Sequence, residues 1–305
     1  MTCRRRLAFT LIELLVVIGV IAVLVALLSP ALSAARRRGV AVKCAGNLRV
    51  LGQGLTMYTQ ENGDVLVPGR LPHVDACNWY SDIKGGRKYR PTFLAMMGSN
   101  VGVAPFDDPQ PCRGPSDKFG EPADQQNYGN PVFVCPAVPE WTDERNGSYG
   151  YNYQFLGNSR LSDASNPHSF KNWPVVVTRI RDTANTLAVA DSMGTAATFP
   201  RSMRLPYENN ARVPEGMGNE GFNLDPPRVD PSNGEMAGFP NERTSVDPRH
   251  LERATVLWVD GHATSETPAD LGYQIAPDGV VGMDGNNARW SGTGRDVAWT
   301  PGYGL

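Results

Sequence analysis

The chain begins with two hydrophobic patterns laid end to end. From Phe9 to Leu28, twenty residues carry one charge, Glu13. At about 1.5 Å per residue, a helix of that length spans the roughly 30 Å hydrocarbon layer of a bilayer. Further on, Val40, Cys44, Leu48, Leu51, Leu55 and Tyr58 recur at spacings of 4, 4, 3, 4 and 3, the apolar stripe of an amphipathic helix. Lys43, Asn47, Arg49, Gln53 and Thr56 fall largely on its other faces. Asn62-Gly63-Asp64 supplies the stop, with Gly63 suited to the C-terminal cap. The pattern predicts one long helix over residues 9–60, with 9–29 in lipid or a filament core and the later stripe packed on a head. Pro30 removes a backbone hydrogen bond and kinks the rod. Gly39, Gly46, Gly52 and Gly54 each weaken the helix by roughly 1 kcal/mol against Ala.

Beyond residue 61 the period changes. Short runs rich in β-branched and aromatic residues occur at Val132–Cys135, Tyr149–Phe155, Val175–Thr178, Thr186–Ala190 and Ala254–Val259. Each is bounded by Pro, Gly, Asn or Asp, as strands are. No helical pattern of similar length alternates with them, so a parallel βαβ sheet is disfavoured. The expected class is α+β: a long N-terminal transmembrane helix packed on an antiparallel β-sheet head, 61–305, with long loops. Residues 195–248, dense in Pro, Gly, Asn and Arg, read as a long surface excursion.

Composition sharpens this division. Residues 1–60 hold five Gly and one Pro, whereas Gly and Pro together make up about one in five of the rest, well above average usage. The formal charge is −2, from 29 basic and 31 acidic residues, which argues against wrapping nucleic acid through bulk electrostatics.

Three readings of the N-terminus follow from its residues. A cleaved secretory signal has an h-region of about 7–15 residues, shorter than this run. A twin-arginine signal is suggested by Arg4-Arg5-Arg6, although the flanking residues match it loosely. A retained membrane helix with a basic leader is the third. Arg4–Arg6 favour a cytoplasmic N-terminus; Arg36, Arg37, Arg38 and Lys43 on the other side leave orientation unsettled by charge alone.

The third reading carries a specific resemblance. Leu7-Ala8-Phe9-Thr10-Leu11-Ile12-Glu13-Leu14-Leu15-Val16-Val17-Ile18 resembles the class III signal of type IV pilins and type II secretion pseudopilins. The resemblance implies a leader of residues 1–8, cleavage by a prepilin peptidase between Ala8 and Phe9, and N-methylation of Phe9. The residue before the cut is usually Gly in that family and is Ala8 here. Glu13 becomes the fifth residue of the mature chain, which in the family pairs with a neighbour's N-terminal amine during assembly. An unpaired carboxylate inside an apolar helix costs a few kcal/mol, and the alternative is that Glu13 snorkels to the headgroups.

A second resemblance lies near the other end. His250, nine residues, then Asp260-Gly261 is similar to the His-x9-Asp-Gly signature of prepilin-like proteins of planctomycetes and related bacteria. Asn47–Gly52, Cys135-Pro136 and Ser148–Asn152 look like segments of the same group. Read from the residues, His250 precedes a strand and Asp260-Gly261 makes a two-residue hairpin turn into His262-Ala263-Thr264.

Candidate chemistry is sparse. Asp191, His250, Asp260 and His262 could converge on a metal, against the plainer reading that Asp260 is a turn residue and His250 packs locally. Some pseudopilins resembling this chain bind calcium in the head, and Asp278 and Asp284 raise the same thought more weakly. The expectation is nonetheless no cofactor, with calcium possible. Gly216–Gly221 formally fits a dinucleotide fingerprint but lacks a preceding strand and following helix. No G-x-S-x-G, H-E-x-x-H, C-x-x-C or P-loop is present among 305 residues, and the chain is expected not to be an enzyme. Loss of the leader removes Cys3 and leaves Cys44, Cys77, Cys112 and Cys135. These allow two disulfides in an oxidising compartment, Cys112 with Cys135 or Cys77 being favoured, or else buried free thiols. It also removes Arg4–Arg6, leaving 26 basic against 31 acidic residues and a charge of −5.

These readings imply a prepilin-like structural subunit, single-pass in the inner membrane, with its head periplasmic or extracellular. Its partners would be prepilin peptidase, other pilin-like subunits, the assembly platform and lipid, with no nucleic acid. The competing expectation is an exported binding or enzymatic domain that uses the N-terminus only as an anchor. In that case Trp79, Tyr80, Trp141, Trp290 and Trp299 would line a glycan or peptide groove.

Overall fold

The computed structural model describes residues 10–69, 80–83, 86–89, 91–107, 127–142, 147–161, 170–172, 175–204, 221–228 and 244–297. Helix α1, Leu11–Glu61, is a single element of 51 residues that passes through Pro30 without a break. It starts two residues later than the apolar run because Thr10 caps it. It stops where Gly63 and Asp64 turn into the left-handed region, at φ 64° and 63°, a conformation glycine adopts freely and aspartate tolerates.

Its two halves differ as the pattern requires. Residues 11–33 are exposed throughout, and the apolar window that satisfies the length and composition of a membrane span has none of its surface buried against the head. In the second half Cys44, Leu48, Leu51 and Leu55 are essentially inaccessible to solvent. Each fully buried leucine contributes about 1.5–3 kcal/mol. Asn47 departs from expectation. It is buried, and its amide donates to Pro131 O at 3.1 Å and Val134 O at 3.2 Å, binding the helix to a loop.

Among the described residues, eleven strands follow in chain order: β1 Tyr80–Ile83, β2 Gly86–Tyr89, β3 Tyr149–Asn152, β4 Asn158–Leu161, β5 Phe170–Asn172, β6 Leu187–Asp191, β7 Asn223–Leu224, β8 Ala254–Trp258, β9 Ala263–Glu266, β10 Tyr273–Ile275 and β11 Val281–Gly285. The central sheet has the order β7-β3-β6-β8-β9, and β1-β2, β4-β5 and β10-β11 form separate hairpins. All pairs in the central sheet are antiparallel except β3 with β7. A short helix, α2 Phe93–Asn100, packs beside α1.

Two predicted strands are something else. Val132–Cys135 begins inside a 3-10 turn, Pro131–Phe133, set by Pro131 at its first position and the Asn130 side chain at its cap. Val175–Thr178 makes only an isolated bridge, Val176 to Val65, before another 3-10 turn. The run from Tyr149 divides into β3 and a single π-helical turn, Tyr153–Gly157. Within the 195–248 excursion, the described residues contribute β7 and a bridge from Val246 to Ser192.

The sheet is covered on both faces. Beneath α1 and α2 lie Tyr149, Tyr151, Ala188, Val189 and Leu257. On the opposite face Leu187, Ala190, Ala254, Val256 and Trp258 pack with Leu271, Tyr273, Val281 and Trp290. This second layer explains why all five residues of β8 are buried. The β6–β8 register shifts between Leu187 and Val189, a bulge that lets the neighbours Ala188 and Val189 share the face under α1.

Two helical glycines are points of contact. A Cβ on Gly54 would lie 2.2 Å from Met97 O of α2, and one on Gly52 would lie 2.7 Å from Leu257 Cδ1 and 3.0 Å from Gly261 O. The helix tolerates the conformational cost at these positions because only glycine admits the neighbouring backbone.

Candidate functional site

The N-terminal end of α1 is a capping box. The Glu13 backbone N–H donates to Thr10 Oγ1 at 3.3 Å, and Glu13 Oε2 accepts from Thr10 N at 2.8 Å and Thr10 Oγ1 at 2.9 Å. Two free N–H groups of the first turn are thereby satisfied reciprocally. The Thr-x-x-Glu spacing that makes this cap is legible in the sequence. Ala8 and Phe9 lie outside the described residues.

The chemically richest place is buried at the junction of α1 with the sheet. Cys44 reaches it from α1, Cys135 from the loop after the Pro131 turn, Asp191 from the end of β6, and His250 from the turn before β8. One donor atom from each lies within 4.8 Å of the others, and all four residues are buried. Cys44 Sγ donates to Asp191 Oδ1 at 3.4 Å. Cys135 Sγ sits 3.2 Å from His250 Nε2, which is 3.4 Å from Asp191 Oδ2.

Neighbouring groups hold these side chains in place. Asp191 Oδ2 also accepts the Thr255 N–H at 2.7 Å, and Cys135 N donates to Ser148 Oγ at 2.7 Å. Tyr149 Oη lies 3.5 Å from Cys44 Sγ and 3.4 Å from the Asn47 amide. Arg249 supplies a buried positive charge beside the group. Its guanidinium lies 4.7 Å over the Trp141 ring and donates to Asp247 at 2.9 Å and to Ser192 O.

The electrostatics follow from burial and crowding. Desolvation lifts the Asp191 carboxyl to about 7, against the pull of Arg249. The hydrogen bond from Cys44 lowers Cys135, with His250 and Arg249 acting in the same direction, while that bond, burial and Asp191 push Cys44 up. Burial opposes charge on His250, but its hydrogen bond to Cys135 and the nearby Asp191 carboxylate win, and its pKa is raised. These four residues can act as acid–base groups, as thiols, or as ligands for a soft or borderline metal.

The structure brings together only half of the metal set read from the sequence. Asp191 and His250 meet, but Asp260 and His262 pair with each other, 2.6 Å apart and partly exposed. The pairs belong to opposite ends of β8. Asp191 grips Thr255 near its start, and Asp260 follows its finish. The turn there is longer than a two-residue hairpin: Trp258 N donates to His262 O, enclosing Val259, Asp260 and Gly261, with Gly261 at φ 92°. Asp278 Oδ1 is engaged by the Val280 N–H in the β10–β11 turn, and Asp284 stands on β11. Neither belongs to a metal-ligating group among the described residues.

The cysteine pairing is also corrected. Cys135 is a free buried thiol beside Cys44, so the favoured link to Cys112 is not formed; Cys77 and Cys112 lie outside the described residues. Sequence spacing could not have found the Cys44–Cys135 juxtaposition, because no local motif links a helix to a distant loop. Of the aromatic residues considered for a groove, Trp290 is wholly buried in the second core, and Trp141 carries the Arg249 guanidinium. Trp79 and Trp299, the Tyr80 side chain and most of Gly216–Gly221 lie outside the described residues.

No curated protein and no solved structure matches the chain. Residues 3–29, which take in most of the exposed apolar half of α1, match the family model described as the prokaryotic N-terminal methylation motif, so the chain carries a prepilin-type N-terminal motif.

Proposed function

We propose that the protein is a prepilin-like structural subunit, cleaved between Ala8 and Phe9 by prepilin peptidase, N-methylated at Phe9 and anchored in the inner membrane by residues 9–29. It assembles with other pilin-like subunits into, or primes, a type IV pilus or type II secretion pseudopilus. The head is periplasmic or extracellular, and the role is structural rather than enzymatic. One observation carries this reading: the apolar segment bearing the methylation motif runs without interruption into the helix that the head uses as part of its core. An anchor appended to an independent domain has no need of that continuity; a filament subunit does, because its membrane or filament position is then rigidly coupled to its head.

The N-terminal residue and mass of the protein recovered from membranes test it. A chain beginning with N-methylated Phe9 is the expected result. A start near Ala34–Arg36 would mean a conventional signal peptide, and an intact Met1 would leave a simple anchor; either would end the proposal. Glycan binding or turnover by the head would instead favour the exported-domain reading.

A further inference from the structure

We propose that Cys44, Cys135, Asp191 and His250 form a structural zinc site that clamps the head half of α1 to the sheet. The inference is independent of how the N-terminus is processed. It rests first on geometry. A tetrahedral zinc with Zn–S of about 2.3 Å and Zn–N and Zn–O of about 2.0 Å sets its donors roughly 3.3–3.8 Å apart. Cys135 Sγ lies 3.2 Å from His250 Nε2, His250 Nε2 lies 3.4 Å from Asp191 Oδ2, and Cys44 Sγ lies 3.4 Å from Asp191 Oδ1; with one ligand atom taken from each residue, all four lie within 4.8 Å of one another. Four ligand atoms from four separate segments therefore cluster in one place, close enough to converge on a single ion.

The charge count is compatible with a divalent ion. Two thiolates, one carboxylate and a neutral imidazole carry −3, which a divalent ion reduces to −1. The buried Arg249 guanidinium, whose field acts on both Asp191 and Cys135, brings the inner set to zero. Arg249 already spends its outward face on Asp247 and Ser192 O, and its Nη1 has no partner among the described residues. Without a cation, the two buried thiols have only weak sulfur hydrogen bonds, to Asp191, Tyr149 and His250.

The donor set selects the metal. Two thiolates and an imidazole suit zinc, whereas calcium takes six to eight oxygens. Complete burial of all four ligands leaves no position for a reacting water, so the site is structural. The surroundings include orienting contacts of the kind metal sites require, with Thr255 N on the second carboxylate contact and Ser148 on the Cys135 backbone. A cleft of about 350 Å³ lies beside the site, lined by Lys43, Asn130, Val134, Cys135, Pro136 and Thr142.

The test uses the full chain purified in detergent without chelator. Elemental analysis is expected to find about one zinc per chain, and stripping it with a strong chelator should lower the melting temperature, with recovery on adding zinc. Cobalt reconstitution of the wild-type protein should give a thiolate charge-transfer band and the intense visible bands of a tetrahedral ion. Cys44→Ser and His250→Ala should weaken retention about tenfold or more. The cobalt spectrum needs no variant, so misfolding of either substitution leaves the test intact. Peptide mapping that recovers a Cys44–Cys135 disulfide would overturn the proposal. So would a folded, metal-free protein with both thiols reactive and no response to zinc, or zinc retained by a Cys44→Ser/Cys135→Ser double variant.

Discussion

Cys44 and Asp191 stand 147 positions apart in the chain and meet at 3.4 Å, the thiol of the long helix against the carboxylate that closes the central strand β6. The same carboxylate holds the Thr255 N–H at the start of β8. Helix, sheet and the His250 turn are therefore tied at one buried point. Eight residues further along α1, Gly52 admits Leu257 and the Gly261 turn that ends the same hairpin strand. The segment from His250 to Gly261 thus comes close to α1 at both of its ends.

The helical glycines make a paired prediction. Gly54→Ala should destabilise the head by about 1–3 kcal/mol, because its Cβ would overlap the Met97 carbonyl and backbone cannot easily yield. Gly46→Ala should instead stabilise by about 0.5–1 kcal/mol, since nothing lies within 4 Å of its Cβ and the helix gains propensity. Denaturant unfolding of both variants checks the opposite signs.

Glu13 completes the capping box, and the assembly role proposed for its charge can be separated from that contact. Glu13→Gln keeps a side chain able to complete the capping box but removes the charge. It should insert in the membrane normally and fail to assemble, as should Glu13→Ala. Thr10→Ala should weaken the helix end by about 1 kcal/mol yet assemble. Filament pelleting alongside membrane fractionation distinguishes them, and normal assembly of Glu13→Gln would remove the proposed role of the charge.

Arg249 should be among the least replaceable residues of the head. Arg249→Met leaves buried Asp191 without its compensating charge and strands the Ser192 carbonyl, at a cost of about 3–5 kcal/mol. Arg249→Lys should recover only part of that, because one ammonium cannot reach Asp247 and Ser192 while stacking on Trp141. Melting temperatures of the three proteins rank them.

Trp290 tests whether the second core is structural. Its indole N–H donates to Leu271 O at 2.9 Å, and its ring meets Tyr273 edge-on at 5.6 Å. Trp290→Phe should keep the ring contact, orphan the carbonyl and cost about 1–3 kcal/mol. Unchanged stability, read by thermal unfolding, would return Trp290 to the list of candidate binding residues.

The sequence by itself determined the long helix, its division into an exposed apolar half and a stripe that enters the core, its stop at Asn62–Asp64, and strands near 149, 187 and 254. All of these depend on residues close together in the chain, where periodicity and turn chemistry act. Burial of Asn47 was not legible, because its partners Pro131, Val134 and Tyr149 are brought to it by the fold. Nor were the purposes of Gly52 and Gly54, which read locally as weaknesses and serve as contacts. Only the tertiary structure decided that Asp191 and His250 join Cys44 and Cys135 rather than Asp260 and His262. A five-residue strand, β8, separates those two groups in space, whereas helix packing brings together cysteines that no local spacing connects.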